Sequence, residues 1–444
     1  MRVVMKSLAA AGAVVMLATG TATAAPPELP KPGKQKATSK KVPAALMGMH
    51  VHSLTTTAPT AEDRFGGIRI WDNGVRWDQV NTAKDVYDWT TLDQVVANAR
   101  ATGAQDIMYV LGYTPEWAAK NVKPPCTPGN YTNCEYFPGG SSSGPKDIED
   151  WKTWVREVTT RYKGQITQYQ MWNEANLSAM FSSSGNSAVE MAQLTVAAQQ
   201  VIREVDPRAK VLTASSTIVQ NKAFVKKGWL KRYLKALKKR GGKPDGIAVH
   251  LYPWLKKGPG NGDLADRSRG LDYAKQVIKA TGYKKLPILD TEMNYGNNRD
   301  NNWPKKKYSQ SKGSAYLAQT YLESLHNGVV QVDWYGWDDF GLGIWPTSAS
   351  GKVLKPGWTY RNLLKNLAGK KNKGCTVTKS VTVCLTRKGA TRDYWVYRPG
   401  NKKVTYQVPK SFKVKRACDL SDSCKRIRKG RVKVGLAPVR LTNA

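Results

Sequence analysis

Two glutamates stand in runs of the same design: Glu174 in "YQMWNEAN" (169–176) and Glu292 in "PILDTEMNYG" (287–296). Each closes a short apolar and aromatic stretch, where a carboxylate is costly unless it is paired or used. A pair of such groups suits a reaction in which one carboxyl donates a proton and the other remains an anion facing developing positive charge. A helix-cap neighbour or a salt-bridge partner is the plain alternative for either residue; the repeated design favours chemistry. Similar runs end on Arg69, Tyr113 and Trp117, Asn173, His250 and Tyr252, and Trp334 with Trp337. The set contains no activated Ser or Cys and no Gly-rich phosphate loop, so no cofactor is expected. His50, His52, His250 and His326 are scattered and lack zinc-ligand spacing with any cysteine, so no metal is expected.

These groups need a scaffold that brings distant strand ends together. Eight β-rich runs begin at "AALMGMHVHS", "FGGIRIWDNGVRW", "QDIMYVLGYTPEWA", "ITQYQMWNEAN", "KVLTASST", "DGIAVHLYPW", "LPILDTEMNYG" and "VVQVDWYGWDDF". Helical patterns such as "TTLDQVVANARATG" and "SAVEMAQLTVAAQQVIREVDP" separate them, several closing on Gly or Asp-Pro. Only the first crossover, "TTTAPTAEDR", is too short and Pro-containing for a helix. Near-regular alternation of eight strands with helices predicts an α/β fold, a (β/α)8 TIM barrel, over residues 46–365. Residues 366–444 change to short alternating runs between Gly, Pro and Lys turns, predicting a small all-β, β-sandwich-like C-terminal domain.

The 444-residue chain carries a net charge of +37. From Lys370 onward 21 Lys and Arg stand against three acids, Asp393, Asp419 and Asp422. Such density attracts polyanions, and the expected partner besides a sugar substrate is an anionic cell-wall polymer; a solvated face is the ordinary alternative. Residues 1–24 pair a basic start with an apolar stretch and end on Ala-Thr-Ala, the pattern of a secretory signal, and 25–45 read as a flexible basic leader. The protein is therefore expected to be secreted rather than membrane-spanning, and not to bind nucleic acid. Six cysteines in an exported chain read as disulfides, and closeness alone suggests Cys126–Cys134, Cys375–Cys384 and Cys418–Cys424. Within the insertion 121–145, Tyr131, Tyr136 and Phe137 are candidates for a cleft wall, with a decorative stapled loop as the alternative.

Paired carboxylates amid indoles and amides are what cleavage of a glycosidic bond needs. "WNEAN" on a fourth strand, "VHLYPW" on a sixth and "DTEMNYG" on a seventh, with "GYTPEWA" after the third, resemble glycoside hydrolase clan A, especially members near family 39 and related endo-glycanases. The resemblance covers residues 45–365. It implies Glu174 as acid/base, Asn173 as ligand of the sugar 2-hydroxyl and Glu292 as nucleophile. It further implies that Tyr252 hydrogen-bonds Glu292, that Arg69 keeps Glu292 ionised, and that Trp337 floors the sugar subsite. Most tryptophans serve cores, so only Trp117, Trp172 and Trp337 are candidate sugar platforms, and His250 is either a ligand or a buried hydrogen-bonding residue. The function so implied is a secreted retaining glycosidase, endo-acting on a polysaccharide, with carboxyls about 5–5.5 Å apart. The alternative is a non-catalytic cell-wall glycan binder using aromatics and the basic C-terminal domain.

Overall fold

The structure is a computed structural model that describes the backbone of 33–34 and residues 40–122, 139–218, 226–253, 262–299, 305–378 and 381–444. The expected signal segment, the Cys126–Cys134 pair, Tyr131, Tyr136, Phe137 and Trp254 lie outside the described residues.

Eight parallel strands form the central sheet: β1 (Met47–Met49), β2 (Gly67–Ile70), β3 (Asp106–Leu111), β4 (Gln168–Met171), β5 (Lys210–Leu212), β6 (Ile247–Val249), β7 (Ile288–Met293) and β8 (Val329–Trp334). Their order is β5-β4-β3-β2-β1-β8-β7-β6. The bridges Leu212↔Gly246 and Thr217↔His250 join β5 to β6 and close the barrel. Strands such as "DIMYVL" and "IAV" are buried on nearly every residue, as parallel strands covered on both faces must be.

Among the described residues seven helices of more than one turn cover the barrel: α1 (Thr90–Ala101), α2 (Ile148–Arg161), α3 (Ser187–Val205), α4 (Trp229–Lys239), α5 (Leu264–Ala280), α6 (Gln310–Asn327) and α7 (Lys355–Leu367). Their starts follow local chemistry. The side chains of Asp147, Asn186 and Asp263 accept from backbone N–H groups of α2, α3 and α5. Gly328, at φ 74°, stops α6 in the left-handed conformation that a side chain would disfavour. Between β1 and β2 stands only the 3-10 turn His52–Thr55, in agreement with the short, Pro-containing crossover. Helix α7 was not foreseen; Pro356 occupies its first turn, where a missing N–H costs nothing.

One buried ion pair anchors the strand that carries Glu292. Asp290 on β7 accepts from Arg267 of α5 at 2.7 and 3.1 Å and from the Leu251 backbone N–H at 2.9 Å. Both side chains are wholly buried, so each charge depends on the other.

Beyond α7 the chain is antiparallel: β9 (Lys371–Val377), β10 (Thr382–Lys388), β11 (Thr391–Tyr397), β12 (Val404–Gln407), β13 (Arg416–Cys418), β14 (Cys424–Arg426), β15 (Arg431–Val434) and β16 (Val439–Thr442). Strand alternation gives β11 two apolar faces: Trp395 and Tyr397 join the barrel's core, while Tyr394 and Val396 pack with Val408, Val434 and Leu441. Cys375–Cys384 and Cys418–Cys424 are disulfides, each bridging neighbouring strands. Two residues from the stretch read as a leader, Gly33–Lys34, form an edge strand against Val377 and Thr376. No helix among the described residues is long and apolar enough to cross a membrane.

Replacing Arg267 by Leu leaves Asp290 charged and alone in the core, so the stability measured by chemical denaturation should fall by about 3–5 kcal/mol. An unchanged midpoint would remove this pair from the framework of β7.

Candidate active site

Every group of the site rises from the carboxyl end of a barrel strand, where βα loops shape the mouth. Arg69 on β2 points up the axis and is completely buried. Its Nη1 donates to Glu292 Oε2 at 2.9 Å, its Nη2 to Asn173 Oδ1 at 2.7 Å and its Nε to Gln170 Oε1 at 3.1 Å. The same Nη1 lies 2.9 Å from His50 Nε2. Two other nearby carboxylates are engaged elsewhere: Asp290 by Arg267, and Asp72 by His52 and Tyr335. Tyr252, three residues past β6, donates its hydroxyl to Glu292 Oε1 at 3.1 Å. Both oxygens of Glu292 are thus held by donors.

Glu174 is held differently. Its backbone N–H donates to Ser215 Oγ at 2.9 Å, and its Oε1 lies 2.8 Å from His250 Nδ1. Trp172 and Glu174 both adopt positive φ, 33° and 45°, a conformation that side-chain-bearing residues avoid and that costs of order 1–3 kcal/mol. The ladder ends with Trp172 donating its N–H to Leu111 and Ser215 donating to Trp172, so the kink lies where β4 stops being strand. An oxygen of Glu174, one of Glu292 and a ring nitrogen of His250 all lie within 4.8 Å of one another. Three such groups equal a metal-binding set in number, but Arg69 and Tyr252 already occupy the oxygens of Glu292.

Burial raises the Glu174 carboxyl to about 7, with Arg69 and Arg299 pulling only partly the other way. Burial also raises Glu292, against the opposing pull of Arg69 and reinforced by the negative charge of Glu174. Arg69 was expected to keep Glu292 ionised; desolvation is the larger influence and raises the group, and the guanidinium limits that rise. Desolvation lowers His250 to about 3, so its imidazole is neutral beside Glu174.

Of the nominated tryptophans, Trp172 is taken up by packing, while Trp337 is tied to the site through its backbone N–H, which donates to the His50 carbonyl at 2.7 Å. Trp172 is fully buried, its ring stacked on Tyr113 at 5.5 Å and met edge-on by Phe181 at 4.9 Å, with Nε1 donating to the Met180 carbonyl. No face is left for a sugar. A Cβ on Gly112 would sit 2.8 Å from this indole, so the glycine permits the packing. Trp337 packs against Phe65 and Tyr360 beneath Arg361, and Trp117 donates to the Asn81 carbonyl; no ring contact or hydrogen bond joins either to the carboxylates among the described residues.

The aromatic at the site is Tyr335, directly after β8, with its ring 4.8 Å from His50 and 5.4 Å from His52. Its hydroxyl donates to Asp72, which also contacts His52 Nε2 at 3.1 Å. Burial by itself would lower His52, but Asp72 and Asp338 raise it to about 11, making it an imidazolium between two carboxylates. Asp338 also accepts the backbone N–H groups of His52 and Ser53 at 2.8 and 2.7 Å, at the start of the 3-10 turn His52–Thr55. Tyr335 was missed because a Tyr between two tryptophans in "DWYGWDDF" carries no distinguishing signal, and Asp72 and Gln170 show their partners only once the strands are packed.

Residues 34–339 match the profile of glycosyl hydrolase family 10. No curated protein matches the chain. Among solved structures the chain is similar to a family 39 glycoside hydrolase from Bacteroides cellulosilyticus WH2, with TM-score 0.63 and 16% identity over 89% of this chain and 80% of that one. It is also similar to a GH39 β-xylosidase from Caulobacter crescentus, with TM-score 0.64 and 16% identity over 92% and 97% of the two chains. A glucosidase from Croceicoccus marinus gives TM-score 0.65 and 12% identity over 92% and 98%. At these identities the likeness is one of fold.

Replacing Tyr252 by Phe removes one hydrogen bond to a charged group, a loss of about 1.5–3 kcal/mol. The kcat for a sugar substrate should accordingly drop roughly tenfold to a hundredfold. An unaltered kcat would mean that this hydroxyl does not serve Glu292 during turnover.

Proposed function

The chain belongs to glycosyl hydrolase family 10, a clan A family, and from that premise we propose that it is a secreted retaining glycosidase acting within a polysaccharide. That it is a glycosidase follows from the family; mechanism, site roles, export and mode of attack are the proposal. The observation that carries the mechanism is the approach of Glu174 and Glu292 oxygens to within 4.8 Å. Retaining enzymes hold their carboxyls about 5–5.5 Å apart, whereas inverting ones leave about 6.5–9.5 Å for a water.

In the proposed first step Glu292 attacks the anomeric carbon as the glycosidic C–O bond breaks, and Glu174 gives its proton to the departing oxygen. The product is a glycosyl ester on Glu292. In the second step the Glu174 carboxylate takes a proton from water, whose oxygen displaces the ester and frees Glu292. Arg69 and Tyr252 aim the nucleophile, while neutral His250 beside Glu174 places no positive charge that would strip its proton. Asn173, fixed by Arg69, is positioned for a hydroxyl of the same sugar, and Tyr335 offers the apolar ring face. The barrel is read as the catalytic unit, the cysteine pairs of 366–444 as features of an exported chain, and 1–24 as the export signal.

Nuclear magnetic resonance of the first-formed product should show the anomeric configuration of the substrate, and Glu292→Gln should abolish turnover. Inverted product would overturn the mechanism. Because protonated Glu174 is the acid, and its pKa is raised to about 7, the rate should hold below that pH and fall as pH rises through it. Glu174→Gln should abolish this alkaline limb on a substrate whose leaving group needs no proton; persistence of the limb would assign the acid elsewhere. Rapid viscosity loss of a digested polymer, ahead of monosaccharide release, is the expected sign of internal cleavage.

A further inference from the structure

We propose that a cationic ribbon in the C-terminal β-region, built from residues 413–416 and 425–431, docks an acidic, carboxylate-bearing polysaccharide. This surface is distinct from the barrel mouth and independent of the retaining mechanism.

The two segments, "KVKR" and "KRIRKGR", place eight cations on adjoining stretches of chain. They are neighbours in space: Arg416 of β13 stands opposite Arg426 of β14, and the Ile427 N–H donates to the Lys415 carbonyl. Arg428 is bridged to Arg431. Like charges directly opposite each other destabilise a sheet, so this arrangement works against the fold it is part of. Lys413 and Lys429 add to that cost with φ values of 53° and 49°.

The acids of the region are engaged elsewhere. Asp393 accepts from Lys370 and Arg440, and Asp422 from Arg440 and Lys365. Asp419 caps its own turn through Ser421 and Ser423. Among the described residues no ion pair joins a ribbon cation to an acid, and all eight cations are exposed. A field of this kind is satisfied by an external polyanion.

The side chains between the cations decide which polyanion. Val414 and Ile427 are half-buried and pack on the core beneath, so the outer face offers no apolar anchor of the kind that membrane-surface segments insert. Neither segment contains an aromatic residue, so bases of a single strand would find no stacking platform. Residues 425–428 run extended over roughly 10 Å, the scale of two sugar units, before the chain turns back between Arg428 and Arg431. A linear glycan is also the class of molecule that a glycosidase must stay close to.

The test uses the full-length protein in affinity electrophoresis through polygalacturonate over a range of salt. Neutral mannan, phosphatidylglycerol vesicles and duplex DNA serve as comparators. The wild type should be retarded by polygalacturonate in a salt-sensitive manner and hardly by mannan. Joint replacement of Arg426, Arg428, Lys429 and Arg431 by Gln should weaken retention about tenfold or more and flatten its salt dependence. The same four charges removed from α4, at Arg232, Lys235, Lys238 and Lys239, should leave retention as in the wild type. Hydrolysis of an aryl glycoside should be equal in all three proteins, which separates this proposal from the catalytic one. Thermal melting should show the ribbon variant no less stable, since repulsion is relieved; should it fail to fold, Lys413→Gln with Lys415→Gln replaces it, with the same loss expected. Equal weakening by the ribbon and α4 variants, absent retention, or tighter binding to vesicles or DNA than to polygalacturonate would overturn the proposal.

Discussion

A guanidinium with no exposure to water has to be surrounded by acceptors, and Arg69 draws those acceptors from three other strands and their ends. Gln170 and Asn173 belong to β4 and its extension, His50 follows β1, and Glu292 stands on β7. Burying an uncompensated charge of this kind would cost several kcal/mol, so the four partners are locked together by the same requirement. The carboxyl end of the barrel is consequently a rigid frame before any sugar arrives. Glu292 inherits its direction from that frame, and Asn173 inherits its own, with the kink at Trp172 and Glu174 carrying the chain from one to the other.

The two glutamates are both desolvated, yet they face different neighbours. Glu292 receives donors on each oxygen, and one donor carries a full charge. Glu174 meets a neutral imidazole and an N–H anchored through Ser215. A short separation between like groups of unlike surroundings is what lets one hold a proton while the other does without it. The Asp72–His52–Asp338 arrangement beside them sets one imidazolium between two carboxylates, and Asp72 fixes the ring of Tyr335 through its hydroxyl.

The C-terminal strands divide their two faces between tasks. One face of β9 to β11 completes the barrel's apolar core, and the other packs against the two-stranded sheet of β12 and β15. Links such as Gln319 to the Arg398 carbonyl and Asn362 to the Leu420 carbonyl tie the region to α6 and α7. Eight exposed cations of the region lie on the ribbon, where Arg416 and Arg426 oppose one another. Stability and surface charge here pull in opposite directions, with disulfides at Cys375–Cys384 and Cys418–Cys424 fastening the strands concerned.

Much was legible from local pattern. Strand and helix follow from periodicities of two and 3.6 residues, so the eight barrel strands and six of the longer helices could be placed from the chain alone, while α7, with Pro and Gly in its first turn, and the single helical turn Trp77–Val80 escaped. Glu174, Glu292 and Arg69 were legible because a charge at the end of a buried strand has few other reasons to be there. Cysteines a few residues apart on neighbouring strands were equally plain. The aromatics were not: Trp172, Trp337 and Tyr335 have similar local surroundings, and which of them faces the carboxylates depends on Tyr113, Phe181, Phe65 and Tyr360, contributed by other elements. The balance of burial and charge at Glu292 and the closeness of its oxygen to Glu174 likewise arise only when strands more than a hundred residues apart converge. Sequence encodes what each residue can do and which local element carries it; side-chain facing and distance belong to the packed barrel, because they are set by neighbours that the chain does not place side by side.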